Sequence, residues 1–287
     1  MQETSSYAVI FKAFAMDRFV ERQLARLRDM VGAGDIYLML DETSGPAGPA
    51  AFARVIRYDE ADLTSRGFAD YGEGALFWYN ADYPLYHFQH LHPEYDVVVM
   101  VEYDVVVQIN LDTLVRVFRE RQLDLIAQPI DKPVDVYWWT PSMRRFYQDE
   151  QIRPYLICFS VFSGRAISHL AACRLAQGRE PVTESQWPVG ECFVATELSL
   201  RQFRIETLAA SGPLTRYDWW PPIHESELPD RAQEVVLHPV LSGRRYMKSL
   251  FKNGYRTGCV TIWRLNLAAV LVRGIWRGLR GRSPARS

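Results

Sequence analysis

The run Val97-Val-Val-Met-Val, followed at once by Glu102-Tyr-Asp104, constrains this chain more than any other stretch of it. Five consecutive apolar residues, four of them β-branched, show no polar/apolar alternation. They suit a strand buried on both faces, in the middle of a sheet covered by helices. Such strands open at their carboxyl ends onto the crevice where ligands bind, which makes the acids that follow functional candidates. A side-chain period of two lets Glu102 and Asp104 point one way and Tyr103 the other. Two converging carboxylates repel unless a cation lies between them, and hard oxygen donors suit Mg²⁺ or Mn²⁺, which also bind diphosphate oxygens. The alternative is a strand that ends on a solvated acidic rim.

The rest of the chain alternates strand and helix patterns around that run. Tyr7 to Phe11 reads as a first strand, and Asp17 to Met30 carries Phe19, Val20, Leu24, Leu27 and Met30 at helical spacing. Gly32 and Gly34 close that helix, and a buried strand from Asp35 runs into Asp41. A strand, helix, strand unit of this length implies a parallel pair. A short strand is expected at Ala53 to Ile56, a helix over Trp78 to His90, and a helix capped by Asn110. Strands then follow at Asp124 to Ala127 and Tyr155 to Phe162, helices at Arg165 to Ala176 and Gly190 to Phe203, and strands at Ile205 to Leu208 and Val235 to His238.

The formal charge of -1 hides an asymmetry. Eleven Lys or Arg and no Asp or Glu lie between Arg244 and Ser287, which leaves 22 basic and 34 acidic residues before them. Residues 1–243 are expected to form the domain, and residues 244–287 a basic, largely helical extension. Trp263, Trp276 and four arginines interleave there with an apolar face, a pattern that suits peripheral contact with anionic lipid, or docking on the acidic body. An acidic body without a reading module excludes nucleic acid as a partner. Cys158, Cys173, Cys192 and Cys259 form no C-x-x-C pair, so buried thiols are expected. The first residues lack a signal-peptide layout and no run of about 18 apolar residues occurs, which makes a cytoplasmic location the expectation, at the inner face of the membrane if the tail binds lipid. His87, His90 and His92 are spaced like ligands but lack a patterned acidic or thiol partner.

With Val101-Glu-Tyr-Asp-Val, His92-Pro-Glu-Tyr-Asp and Trp78-Tyr-Asn-Ala-Asp-Tyr-Pro, the sequence resembles the glycosyltransferases of A type, with Glu-Tyr-Asp standing where the family has an Asp-x-Asp triplet. The resemblance implies a GT-A-like (Rossmann-like) α/β fold, with a mostly parallel central sheet flanked by helices. It implies a nucleotide-diphospho-sugar donor, a glycan or lipid-linked acceptor, and Mn²⁺ or Mg²⁺ as cofactor. Asp104 would hold the metal, with Glu102 on the metal or ribose and late-strand His238 completing the set. Phe11, Lys12, Asp41, Asn80, Asp82 and Tyr103 would contact the donor; Asp41 could equally be a turn residue. Glu191, at the start of a helix, would be the base, with Glu197 a less favoured substitute; an acid there also suits a helix dipole. The aromatics Tyr137-Trp138-Trp139, with Arg144, Arg145 and Tyr147, and Trp219-Trp220 could form an acceptor wall or simply pack. Two rivals stay open: a binding protein of the same fold without turnover, and a sugar nucleotidyltransferase, whose Gly-rich loop is missing from Tyr7 to Arg18.

Overall fold

The computed structural model describes residues 7–71, 76, 78–229 and 232–256. Strand β1 (Ala8–Ala13) leads to α1 (Arg18–Arg28), whose cap is Asp17: its carboxylate accepts from the amides of Phe19 and Val20 at 3.0 Å each. Then come β2 (Asp35–Asp41), β3 (Val55–Tyr58), α2 (Glu60–Thr64), α3 (Tyr83–Leu91) and the central β4 (Val97–Glu102). A two-residue strand β5 (Val106–Val107) precedes α4 (Leu111–Glu120), capped by Asn110 as its sequence predicts. Next are β6 (Leu125–Pro129), α5 (Thr140–Met143), β7 (Tyr155–Ser163), α6 (Gly164–Gln177), α7 (Gly190–Leu200) and β8 (Ile205–Thr207). Short strands β9 (Ile223–His224), β10 (Val236–Leu237) and β11 (Val240–Leu241) and helix α8 (Gly243–Arg256) complete the described chain.

Seven strands form one mixed sheet in the order β3-β2-β1-β4-β7-β6-β8. Six run in one direction, and β7 is antiparallel to both of its neighbours, β4 and β6. The fold is therefore the expected α/β class with a mostly parallel central sheet flanked by helices.

Period-two alternation splits each central strand between two cores. Val98 and Met100 of β4 pack on the face covered by α3, α6 and α7, while Val97, Val99 and Val101 pack on the face covered by α1, α4 and α8. All six residues of β4 are buried, which explains why its sequence shows no polar face. The basic segment joins this core: Tyr246 and Leu250 of α8 are buried in it, and Arg245 pairs with Asp17. Residues 244–250 thus pack on the domain from which their composition separates them. The tail after Arg256, with Cys259, Trp263 and Trp276, lies outside the described residues. Among the described residues, no helix is long and apolar enough to cross a membrane.

Candidate active site

Glu102 is the last residue of β4, and its register partner on β1 is Lys12. The Lys12 ammonium, with no exposed surface, lies 3.2 Å from Glu102 Oε1 and donates to the carbonyl of Ala81 at 2.9 Å. A buried charge of either sign is costly alone, and the pair places the two opposite charges side by side. The chain then turns, with the Val105 amide donating to the Glu102 carbonyl at 3.0 Å, and enters β5. β5 pairs antiparallel with β10, and the Val240 amide donates to the Asp104 carbonyl at 2.7 Å. These backbone bonds deliver His238 to the acidic turn from far along the chain.

His238 Nδ1 lies 2.8 Å from the Asp218 carbonyl. A carbonyl only accepts, so Nδ1 carries the proton and the Nε2 lone pair is left facing Asp104 Oδ1, 3.6 Å away. Asp104 Oδ1 is buried and has no hydrogen-bond partner. Burial raises the Asp104 carboxyl above its ordinary range, the Glu102 charge adds to this, and His238 opposes it. Two lone pairs aimed at each other in a shielded site call for a proton or a cation between them. Carboxylates near an imidazole oriented by a carbonyl are donors that Mn²⁺ or Mg²⁺ can use, and His238, with Asp104 at 3.6 Å and a Glu102 oxygen within 4.8 Å, fits that group.

Cys158, on the antiparallel β7, also belongs here, although its strand pattern gives no sign of it. Ligand atoms of Glu102, Cys158 and His238 lie within 4.8 Å of one another. Burial pushes the Cys158 thiol up, with the Glu102, Glu191 and Asp104 charges adding. The thiol therefore stays protonated beside the acids.

Glu191 sits in the first turn of α7 and is half-buried. Tyr137 donates to its Oε2 at 2.5 Å. Burial raises the Glu191 carboxyl to about 7, Glu102 and Asp218 add to the shift, and the Tyr137 hydrogen bond and Lys132 oppose it. A carboxyl tuned near neutrality, close enough to the acidic turn for the Glu102 charge to act on it, has the property a general base needs. Beside it, Trp138 and Trp219 meet edge to face at 5.1 Å, with the Lys132 ammonium 4.2 Å from the Trp138 ring centroid and 5.4 Å from that of Trp219. Arg144 pairs with Asp149 instead, and Tyr147 donates to Glu197, both away from this cluster.

Five residues expected to touch the donor have protein partners of their own in the structure. Phe11 has no exposed surface and fills the core between β1 and α1. Asn80 is fully buried, accepting from the Trp187 indole at 2.8 Å and donating to the Tyr71 carbonyl at 3.1 Å. Asp82 is fully buried in a two-point ion pair with Arg174, at 2.9 and 3.0 Å, and accepts from the Tyr86 phenol at 2.7 Å. A donor molecule would have to displace these bonds, which hold Asn80 and Asp82 against the segment that leads into α7. Arg174 also donates to the Pro188 carbonyl, and the Gly190 amide to the Tyr79 carbonyl. A Cβ at Gly190 would lie 2.7 Å from Asp82 Oδ1, so only glycine lets the Glu191 helix begin this close. Tyr103, as its alternation predicts, faces away from Glu102, edge-on to Phe14 at 5.2 Å and under the Arg245 guanidinium. Asp41 is buried and accepts from the Thr43 amide at 2.9 Å, the turn arrangement.

His87 stacks on Tyr58 and His92 pairs with Glu94, so the three histidines of that segment do not converge. Cavities of about 320 and 340 Å³ lie away from the acidic turn, one beside Asp124, Arg165 and Arg204, the other beside Tyr147, Glu197 and Arg201.

No family model matches the sequence, and no curated protein does. Solved structures with a similar course of the chain include mouse xyloside xylosyltransferase 1 in its apo form, 12% identical, covering 81% of this chain and 97% of that one, with a TM-score of 0.46. A CMP:2-keto-3-deoxy-manno-octonic acid synthetase complexed with CTP is also 12% identical, covering 71% of this chain and 89% of that one, with a TM-score of 0.40.

Proposed function

We propose that this protein is a metal-dependent glycosyltransferase that moves a sugar from a nucleotide-diphospho-sugar to an acceptor hydroxyl. The observation that carries the reading is His238 at the acidic turn, with a Glu102 oxygen within 4.8 Å of its ring and Asp104 Oδ1, a buried oxygen with no hydrogen-bond partner, 3.6 Å from its Nε2. Mn²⁺ or Mg²⁺ held by Asp104, His238 and Glu102 would neutralise the diphosphate as it departs. The charges are consistent with this role: two carboxylates and one ammonium leave a single negative charge. With a divalent ion added, that becomes one positive charge for a diphosphate to meet.

The chain's own side chains do the rest. Lys12 holds the Glu102 carboxylate in place, and the Asp218 carbonyl fixes the His238 ring so that Nε2 faces the acids. Glu191, oriented by Tyr137, takes the proton from the acceptor hydroxyl as its oxygen attacks the anomeric carbon, in the inverting course of the reaction. Trp138 and Trp219 give the acceptor sugar flat apolar faces to stack on, next to that base.

The test is a thermal-shift panel of nucleoside diphosphates and nucleotide sugars, with and without Mn²⁺, on the wild type and on Asp104→Ala. Metal-dependent stabilisation by at least one nucleotide, absent in the variant, supports the reading. No metal-dependent nucleotide effect on the wild type overturns it.

A further inference from the structure

A second cluster of ligand-type side chains lies between α6 and α7, apart from the acidic turn. His169 and Cys173 are four residues apart on α6, so their side chains share one face of that helix, and Glu197 faces them from α7. Cys173 Sγ is 3.5 Å from His169 Nε2 and 3.5 Å from Glu197 Oε2, and the last two atoms are 3.7 Å apart. With Zn–S about 2.3 Å and Zn–N or Zn–O about 2.0 to 2.1 Å, a tetrahedral ion sets its S···N and S···O edges at about 3.5 Å and its N···O edge at about 3.3 Å. The three side chains thus form nearly a complete face of a zinc tetrahedron.

The surroundings resemble the outer support of such a site. Tyr147 donates to Glu197 Oε1 at 2.6 Å, leaving Oε2 directed at the sulfur, and Gln177 donates to the Tyr147 oxygen at 2.5 Å. Tyr147 and Gln177 are buried, so this chain fixes the carboxylate's orientation. Glu197 and Tyr147 also line the cavity of about 340 Å³, which gives the site a side open to an ion.

We propose that His169, Cys173 and Glu197 bind a zinc ion that clamps α6 to α7. A thiolate, an imidazole and a carboxylate together select zinc over the hard cations suited to the acidic turn. Without metal, the same groups are held by a thiol-to-carboxylate hydrogen bond, and burial and the Glu197 charge push the Cys173 thiol up to about 12. Zinc binding therefore expels the thiol proton as the Zn–S bond forms. The clamp grips α7 less than two turns from Glu191, and so stiffens the helix that presents the base.

Full-length protein stripped with a chelator and titrated with Co²⁺ tests this. Wild type and Cys158→Ser are expected to develop the near-ultraviolet thiolate-to-cobalt charge-transfer band, and Cys173→Ser and His169→Ala to lack it or lose most of it. The Cys158→Ser arm separates this site from the thiol beside Glu102. Zinc content after dialysis should fall from about one per chain to near zero in Cys173→Ser, and Tyr147→Phe should weaken zinc about 10- to 100-fold. If Cys173→Ser does not fold, the Co²⁺ spectrum of the wild type and the His169→Ala titration still decide. Absence of the band in the wild type, or undiminished zinc in folded Cys173→Ser, overturns the proposal. None of these outcomes depends on nucleotide binding.

Discussion

The Tyr137 phenol donates to Glu191 Oε2 at 2.5 Å while burial raises that carboxyl to about 7, so one hydrogen bond steadies a base that the protein interior disfavours. Under the proposed function, Glu191→Gln should lower kcat by about 10² to 10⁴-fold with little change in KM. The wild-type kcat should rise with pH through about 7 as Glu191 ionises, and the pH-rate profile measures this.

The same raised pKa makes a stability prediction of opposite sign. The unfolded carboxyl ionises near 4.5 and the folded one near 7, so ionised Glu191 burdens the fold increasingly as pH rises between those values. Glu191→Gln should therefore melt at or above the wild-type temperature at pH 8, by a few degrees. The difference should shrink toward pH 5. A lower melting temperature at pH 8 would show that the carboxylate is not under strain there.

Asp104→Asn keeps the shape of the side chain and removes its charge. Under the proposed function it should cut metal-dependent nucleotide binding about a hundredfold or more, since loss of a proposed direct ligand costs at least as much as loss of an outer partner. Isothermal titration with Mn²⁺ present reads this directly. The melting temperature without ligand should not fall below the wild-type value, because burial raises the Asp104 carboxyl and its oxygen facing His238 has no hydrogen bond to lose.

Arg174→Met leaves Asp82 buried and unpaired beneath the start of α7. Breaking one side of a buried pair costs about 3 to 5 kcal/mol, so the melting temperature should fall on the order of 10 °C. Its effect on turnover should also exceed that of a distant surface change, because Arg174 carries the Pro188 carbonyl just ahead of Glu191.

Glu225 receives Arg22 at 2.6 Å and Arg26 at 2.8 Å, and these hydrogen bonds and charges outweigh its burial and depress its carboxyl from 4.5 to about 2. For a depressed acid the stabilisation is whole above the unfolded value and is lost as pH falls through the folded one. Wild-type stability should decline between about pH 4.5 and pH 2, and Glu225→Gln should flatten that part of the profile in chemical denaturation.

What was legible in the sequence follows what local patterning can encode. The central strand, the caps at Asp17 and Asn110, and the opposite facing of Glu102 and Tyr103 all come from short-range periodicity and hydrogen bonding, and they are found as expected. The direction of β7 is set by where the preceding chain leads, and its apolar run is the same whichever way it points. Asn80 and Asp82 illustrate a further limit. A polar residue beside a site suggests a ligand, but their partners Trp187 and Arg174 lie 107 and 92 residues away, and nothing local reveals them. Cys158 reads only as a buried thiol for the same reason, since an inward thiol in an apolar strand looks like any small core residue.

All seven strands of the main sheet precede Leu208, whereas His238 arrives on the later β10 segment that pairs with β5. During synthesis the strands can therefore be made while the proposed third metal donor is still inside the ribosome. A nascent chain cut short before β10 would hold all seven strands yet lack both His238 and the residues of β10, β11 and α8 that cover one face of the sheet, so the proposed metal set is completed together with that core.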